Sequence, residues 1–131
     1  YPKVLILAAI IFAIPLFCGC STGSSTAAPE VVETYLNALV NRDLNRMISA
    51  SCASWETQAK VEYDSFSAVK LTIENLKCEK IQEDKGASLV TCNGAIIANY
   101  GAEDLVIDIA NRTFKVVNEG GEDRMCGYAE K

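Results

Sequence analysis

Ala68–Tyr100, AVKLTIENLKCEKIQEDKGASLVTCNGAIIANY, decides the fold. Upstream of it apolar residues recur every three or four positions, the period of a helix; within it they alternate, the period of a strand. Leu71 and Ile73 share one parity, while Leu76 and Cys78 take the other. A change of phase inside one strand is the mark of a β-bulge. Glu83-Asp84-Lys85-Gly86 supplies turn residues, and Val90, Cys92, Ile96, Ala98 and Tyr100 alternate along a second strand. A hairpin folded about Lys85 sets Cys78 directly opposite Cys92, at a separation that a disulfide bridges in a non-hydrogen-bonded pair. The cysteine pair and the hairpin register support each other.

Working outward from that hairpin, Tyr100-Gly101-Ala102-Glu103 is the next turn. Leu105, Ile107 and Ile109 alternate, Asn111-Arg112 intervenes, and Phe114 and Val116 resume in the opposite phase, which predicts a second bulge. Asn118-Glu119-Gly120-Gly121-Glu122 reads as a hairpin turn with two glycines able to take positive φ. Arg124, Cys126 and Tyr128 end the last strand.

Upstream, a first helix is expected from Pro29, with Glu30 and Glu33 near its positive end. Val32, Tyr35, Leu36, Leu39 and Val40 form its apolar stripe. Asp43 looks like the N-cap of a short second helix over Leu44–Ala50, with Leu44, Met47 and Ile48 on one face. A third helix begins near Ser54, and Trp55, Ala59, Tyr63 and Phe66 recur along it at helical spacing. Core packing is the favoured reading of Trp55 and Tyr63 over a ligand cage.

The first residues say where the chain resides. Lys3 precedes an apolar run from Val4 to Phe17, followed by Gly19 and Cys20 and then by STGSSTAAPE. This is the layout of a secretory signal peptide, and with its closing cysteine it resembles a bacterial lipoprotein signal. The resemblance implies diacylglycerol on a cysteine thiol, cleavage just before that cysteine, and anchoring by acyl chains at about 0.8 kcal/mol per buried CH₂. Cys20 is the expected lipidation site, because Gly19 precedes it while the bulky Phe17 precedes Cys18. Phe17 stands where the usual motif has Leu. An uncleaved transmembrane anchor and an ordinary cleaved signal are the alternatives, and an apolar run of 14 residues is short for a span, which needs about 20. We divide the chain into a signal peptide over 1–19, its start missing because Tyr1 is not Met, a lipidated cysteine and tether over 20–28, and a folded domain over 29–131. Ser21 is not the Asp that marks inner-membrane retention in some diderm bacteria, so an outward-facing, extracytoplasmic location in the cell envelope is expected.

Removing Lys3 with the leader leaves 11 basic residues against 17 acidic ones, a net charge of −6. A net acidic domain without a basic cluster argues against a nucleic-acid partner, and against attraction to anionic lipid, so the N-terminal lipid alone would hold it to the membrane. The chain contains no His, which excludes Ser-His-Asp and Cys-His catalysis and His-based zinc sites. Of six cysteines, Cys52, Cys78, Cys92 and Cys126 lie in the domain. An even number in an exported domain reads as disulfides, and no CxxC pair favours zinc. With Cys78 paired to Cys92, Cys52 and Cys126 are left for each other. No metal and no cofactor are expected, and Asn111-Arg112-Thr113 is read as a chance glycosylation triplet.

Three N-terminal helices before a bulged antiparallel meander of about four strands make an α+β fold. The stretch PEVVETYLNALVNRDLNRMI resembles the opening of a nuclear transport factor 2-like domain, with Asn41-Arg42-Asp43-Leu44 where that family's "GD" turn usually sits. The end, FKVVNEGGEDRMCGY, resembles its final hairpin, with Asp123 near the place where Trp is common. The resemblance covers residues 29–128 and implies a sheet curled around the first helix into a cone with a pocket. It carries no catalytic motif.

Fold alone does not decide function. A non-catalytic, membrane-tethered domain binding a small ligand or a protein partner is the first expectation. A ketosteroid isomerase- or dehydratase-like enzyme is the second, and it needs a carboxylate base and a hydrogen-bond donor in the cone. An accessory subunit of an envelope complex is the third, favoured by an exposed apolar patch. A homodimer through the sheet is possible on the resemblance. No catalytic residue is assigned. The pocket residues singled out are Tyr35, Trp55, Tyr63 and Asp108, with Tyr100 as a further donor and Asp64 beside Tyr63.

Overall fold

The computed structural model describes residues 27–131. The expected signal peptide, Cys18, the expected lipidation site Cys20 and residues 21–26 of the expected tether lie outside the described residues. Helix α1 runs Ala28–Val40 with Pro29 and Glu30 in its first turn. Val31, Val32, Tyr35, Leu36, Ala38 and Leu39 are buried, a continuous face wider than the stripe of a surface helix. Arg42 takes positive φ in the following turn. The Asp43 side chain then accepts from the Arg46 backbone N–H at 3.1 Å and caps α2, Leu44–Ser49, which buries Met47. A 3-10 turn at Ala53–Trp55 leads into α3, Glu56–Ser65.

Five strands follow: β1 Lys70–Asp84, β2 Ala87–Asn99, β3 Asp104–Asp108, β4 Arg112–Glu119 and β5 Glu122–Glu130. Their order is β1-β2-β4-β5, with β3 paired to the far half of β2, and every pairing is antiparallel. Cys78 faces Cys92 across β1 and β2, the expected register, and the two are joined as a disulfide. The β1–β2 turn is tighter than the sequence suggests. Asp84 pairs with Ala87, so only Lys85 and Gly86 form the loop, with φ of 50° and 81°, the left-handed pair that a two-residue hairpin prefers. A register shift between Lys80 and Gln82 absorbs the difference.

The first expected bulge is present between Glu74 and Lys77. Asn75 sits there at φ 53°, and Gly94 lies across from it at φ 115°, where a Cβ would stand 2.5 Å from the Glu74 carbonyl oxygen. The second expected bulge is a full break. Ile109–Asn111 form a 3-10 turn that separates β3 from β4, so the meander of about four strands becomes a five-stranded sheet. The Asp108 carboxylate accepts from the Ala110 backbone N–H at 2.9 Å, offering the backbone a local partner in place of a ladder bond, while Ile109 turns fully inward.

The corner after α2 is stitched to β5. Cys52 N–H donates to the Met125 carbonyl at 2.8 Å, and Met125 N–H donates to that of Ala50 at 2.7 Å. The second disulfide, Cys52–Cys126, closes the same corner. Between α1 and the sheet lie Tyr35, Leu36, Leu39, Ile96, Phe114 and Met125, all essentially without solvent exposure. The result is α+β: N-terminal helices packed on a curved, bulged antiparallel sheet, the architecture that the nuclear transport factor 2-like resemblance implies. Among the described residues no helix is long and apolar enough to cross a membrane.

Candidate functional site

The stitched corner fixes Trp55. Its indole lies over Gly127 of β5, where a Cβ would come within 3.1 Å of the ring, and edge-on to Tyr128 at 5.9 Å between centroids. Tyr128 also packs on Phe114 at 5.5 Å. From this position the Trp55 Nε1–H donates to the Tyr35 hydroxyl at 3.1 Å. Indole is a donor only, so the Tyr35 oxygen accepts there and its proton points onward. That proton faces Oε2 of Glu62 at 3.4 Å, and the Tyr128 hydroxyl donates to the same oxygen at 3.3 Å.

Three elements thus converge on one carboxyl group: α1 through Tyr35, α3 through Glu62 and β5 through Tyr128. Both hydroxyl contacts exceed the 2.7–2.8 Å typical of O–H···O bonds, so the carboxylate is held loosely and keeps capacity for another partner. Burial raises the Glu62 pKa above its ordinary value, against the opposing pull of Arg112 and of the two hydroxyls. Burial and the Glu62 charge in turn push Tyr128 up. The same two causes, in that order, raise Tyr35 far above the ordinary phenol range, so it stays protonated and a donor.

Arg112 opens β4 beside this group. Its guanidinium stacks on the Tyr128 ring at 4.2 Å, and its Nε lies 3.6 Å from Glu130. Glu62, Tyr128 and Arg112, with Gln58 and Ser65, line a half-open cleft of about 240 Å³ between α3 and the sheet, walled by Leu39, Val61, Phe66, Ile96 and Ile107. A cleft with apolar walls, convergent polar groups and a perturbed carboxyl fits the physical profile of a ligand site.

Of the residues singled out in the sequence, Tyr35 and Trp55 meet in this cluster. Tyr63 stands elsewhere. Its hydroxyl donates to the Arg42 carbonyl at 3.1 Å, Arg42 Nη1 donates back to the Tyr63 carbonyl at 2.8 Å, and the guanidinium covers the ring at 3.7 Å. This pairing ties the α1–α2 turn to the end of α3. Asp108 is exposed and caps the 3-10 turn, and Tyr100 is exposed at a loop. Asp64 is exposed on α3. Sequence reasoning passes over Glu62, Arg112 and the role of Tyr128. One signal is available for Glu62, since it lies on the same α3 face as Trp55, Ala59, Tyr63 and Phe66 and is the one acidic residue in that stripe.

Chemically, the cluster offers a carboxyl of raised pKa with donors already directed at it. An acid–base enzyme of this fold would instead need donors aimed at a developing oxyanion. Here both nearby phenols are engaged by Glu62 itself.

No protein-family model matches the chain, and no curated protein matches its sequence. Solved structures match its shape. Aln2 from a Streptomyces species aligns at TM-score 0.53 with 11% identity, over 77% of this chain and 85% of Aln2. A SEC-C motif-containing protein from Rhodopseudomonas palustris aligns at 0.52 with 11% identity, over 82% of each chain. The helical cell shape determining protein Pgp2 from Campylobacter jejuni aligns at 0.50 with 11% identity, over 76% of this chain and 38% of Pgp2. At such identities the likeness is one of fold.

Proposed function

We propose that this chain is a lipid-tethered, extracytoplasmic domain of nuclear transport factor 2-like fold that binds a small, largely apolar ligand in the Glu62 cleft without transforming it. The observation that carries the reading is the partly buried carboxyl of Glu62, loosely held by two phenol hydroxyls in a cleft with apolar walls. The two disulfides accord with an oxidising compartment, and the lipoprotein-like leader supports tethering through Cys20. The isomerase-like alternative is disfavoured, because Tyr35 and Tyr128 are spent on Glu62. Leu105 and Val106, exposed to 51% and 61% on β3, favour a second reading in which a partner in an envelope complex covers that edge.

The test is saturation-transfer NMR on the full chain in detergent micelles, with a set of small aromatic fragments. Fragments should receive signal from the wild type and lose it in Ser65→Trp, which fills the cleft from the exposed side of α3 while leaving the core untouched. Equal signal in both proteins would remove the cleft from consideration. Intact mass of the chain purified from membranes tests the tether, and an N-terminus at an acylated Cys20 is the expected result.

A further inference from the structure

The two charged side chains of the cleft specify more than its existence. Glu62 uses Oε2 for both tyrosine hydroxyls. Among the described residues no hydrogen-bond partner is found for its Oε1, nor for the terminal nitrogens of Arg112. None of these atoms is a buried orphan, so they open to solvent, and both residues line the same cleft. Glu62 and Arg112 feel each other's charge yet form no ion pair. The Arg112 guanidinium is instead held against the Tyr128 ring and beside Glu130, which fixes its plane without consuming its terminal donors. The cleft is therefore lined by one carboxyl with an acceptor to spare and one guanidinium with donors to spare, beside Gln58, Ser65 and five apolar side chains.

Resting on the cleft-binding reading above, we infer that the ligand has a small apolar body and an amphoteric head. That head donates a hydrogen bond to Glu62 Oε1 and accepts from the Arg112 guanidinium, and the carboxamide is its simplest form. An ammonium head would satisfy Glu62 and be repelled by Arg112, and a carboxylate head would do the reverse. Each carries a penalty that a neutral donor–acceptor head avoids. The volume, about 240 Å³, falls below the range usual for drug-sized ligands, so the body is of the size of one ring or a short chain.

Three probes of one shape separate the heads: phenylacetamide, phenylacetate and phenethylamine. Each is titrated at pH 8 into the full chain in detergent micelles, read by the NMR shift of the single Trp55 indole N–H. Phenylacetamide should bind roughly tenfold more tightly than either ion, the scale of one charge-assisted hydrogen bond. Glu62→Gln should raise phenylacetate relative to phenethylamine by about tenfold, and Arg112→Met should shift the same ratio about as far the other way. A merely structural role for either residue would weaken all three probes alike. The near-isosteric Glu62→Gln arm stands alone if Arg112→Met fails to fold. Binding without preference, tightest binding of an ion, or a ratio that does not swing would overturn the head assignment and leave the cleft as a binding site. Failure of every probe to move the Trp55 signal in the folded wild type would overturn the assignment and the cleft-binding reading together.

Discussion

Tyr35 is the pivot at the scale of single residues. It is fully buried in α1, accepts from Trp55 and donates to Glu62. Tyr35→Phe removes both links at once and leaves the indole N–H without its partner. A donor left unpaired costs up to about 1–3 kcal/mol when fully buried, and Trp55 is partly buried, so the urea midpoint should fall by the lower part of that range. Glu62 makes a prediction of definite sign. Its folded pKa is raised above the ordinary 4.5, so between those values the native state binds more protons than the unfolded chain. The stability tied to the protonated carboxyl is fully present below the unfolded pKa and is lost as pH rises through the folded one. Glu62→Gln keeps an oxygen for the two hydroxyls and carries no titrating proton. Its stability relative to the wild type should therefore increase from pH 4 to pH 8 in urea denaturation, and a gap that stays flat would show that Glu62 is not desolvated. Tyr35 and Trp55 are legible in sequence because they lie on apolar helical stripes, whereas Tyr128 reads only as the end of a strand. Glu62 shares the α3 stripe, but a carboxylate in a helix reads by default as part of a solvated face. Its burial is supplied by Tyr128, 66 residues away, and by Arg112 on another strand, which no local period reveals.

Among the elements, the β1–β2 hairpin is legible in detail because both partners of its register lie in one short stretch and Cys78 and Cys92 pin it. The bulge is legible as a phase change at Leu76, but its glycine is not. Gly94 is required by the approach of the opposite backbone, and no pattern within β2 announces that. Gly94→Ala forces positive φ on a residue with a Cβ and drives that Cβ against the Glu74 carbonyl. Strain and overpacking together should cost about 3 kcal/mol or more, whereas Gly86→Ala, whose Cβ would meet nothing within 4 Å, should show the φ cost alone. Thermal denaturation of the two variants separates these contributions. The break at Ile109–Asn111 reads as a bulge because the two look alike in sequence, each being a shift of phase. The Asp108 carboxylate, bonded to the Ala110 N–H, decides between them. Edges follow the same logic. The long edge strand β1 carries Lys70, Glu74, Lys77, Glu79 and Lys80 along an exposed, bulged course, features that blunt edge-to-edge pairing. Pairing of β3 with a second copy about Val106 would set Asp104 against Asp108, so like charges oppose that dimer despite the exposed Leu105 and Val106.

At the scale of the whole molecule, the two disulfides have different tasks, and their separations in sequence show it. Cys78–Cys92 spans 14 residues and staples a hairpin that its two-residue turn already closes. Cys52–Cys126 spans 74 residues and ties the end of the helical layer to the last strand, across nearly the whole domain. In the chain-entropy account, closing loops of these lengths stabilises by about 3 and about 4.5 kcal/mol respectively. The longer one has a local consequence as well. The Cys52 corner leads directly into the turn that carries Trp55, and Cys126 adjoins the Gly127 and Tyr128 on which Trp55 rests. Cys52→Ala/Cys126→Ala should therefore lower the unfolding free energy by roughly 1.5 kcal/mol more than Cys78→Ala/Cys92→Ala does, the difference between the two entropic terms. It should also broaden the Trp55 indole N–H signal and weaken fragment binding while the protein is still folded. The hairpin variant should leave both the signal and the binding in place, because no polar member of the Glu62 cluster belongs to β1 or β2 and the one cleft wall from β2, Ile96, lies beyond the Glu74–Lys77 bulge from Cys78–Cys92. Loss of the Trp55 signal in both variants alike would mean that the cleft depends on global stability, and not on the corner that Cys52–Cys126 holds.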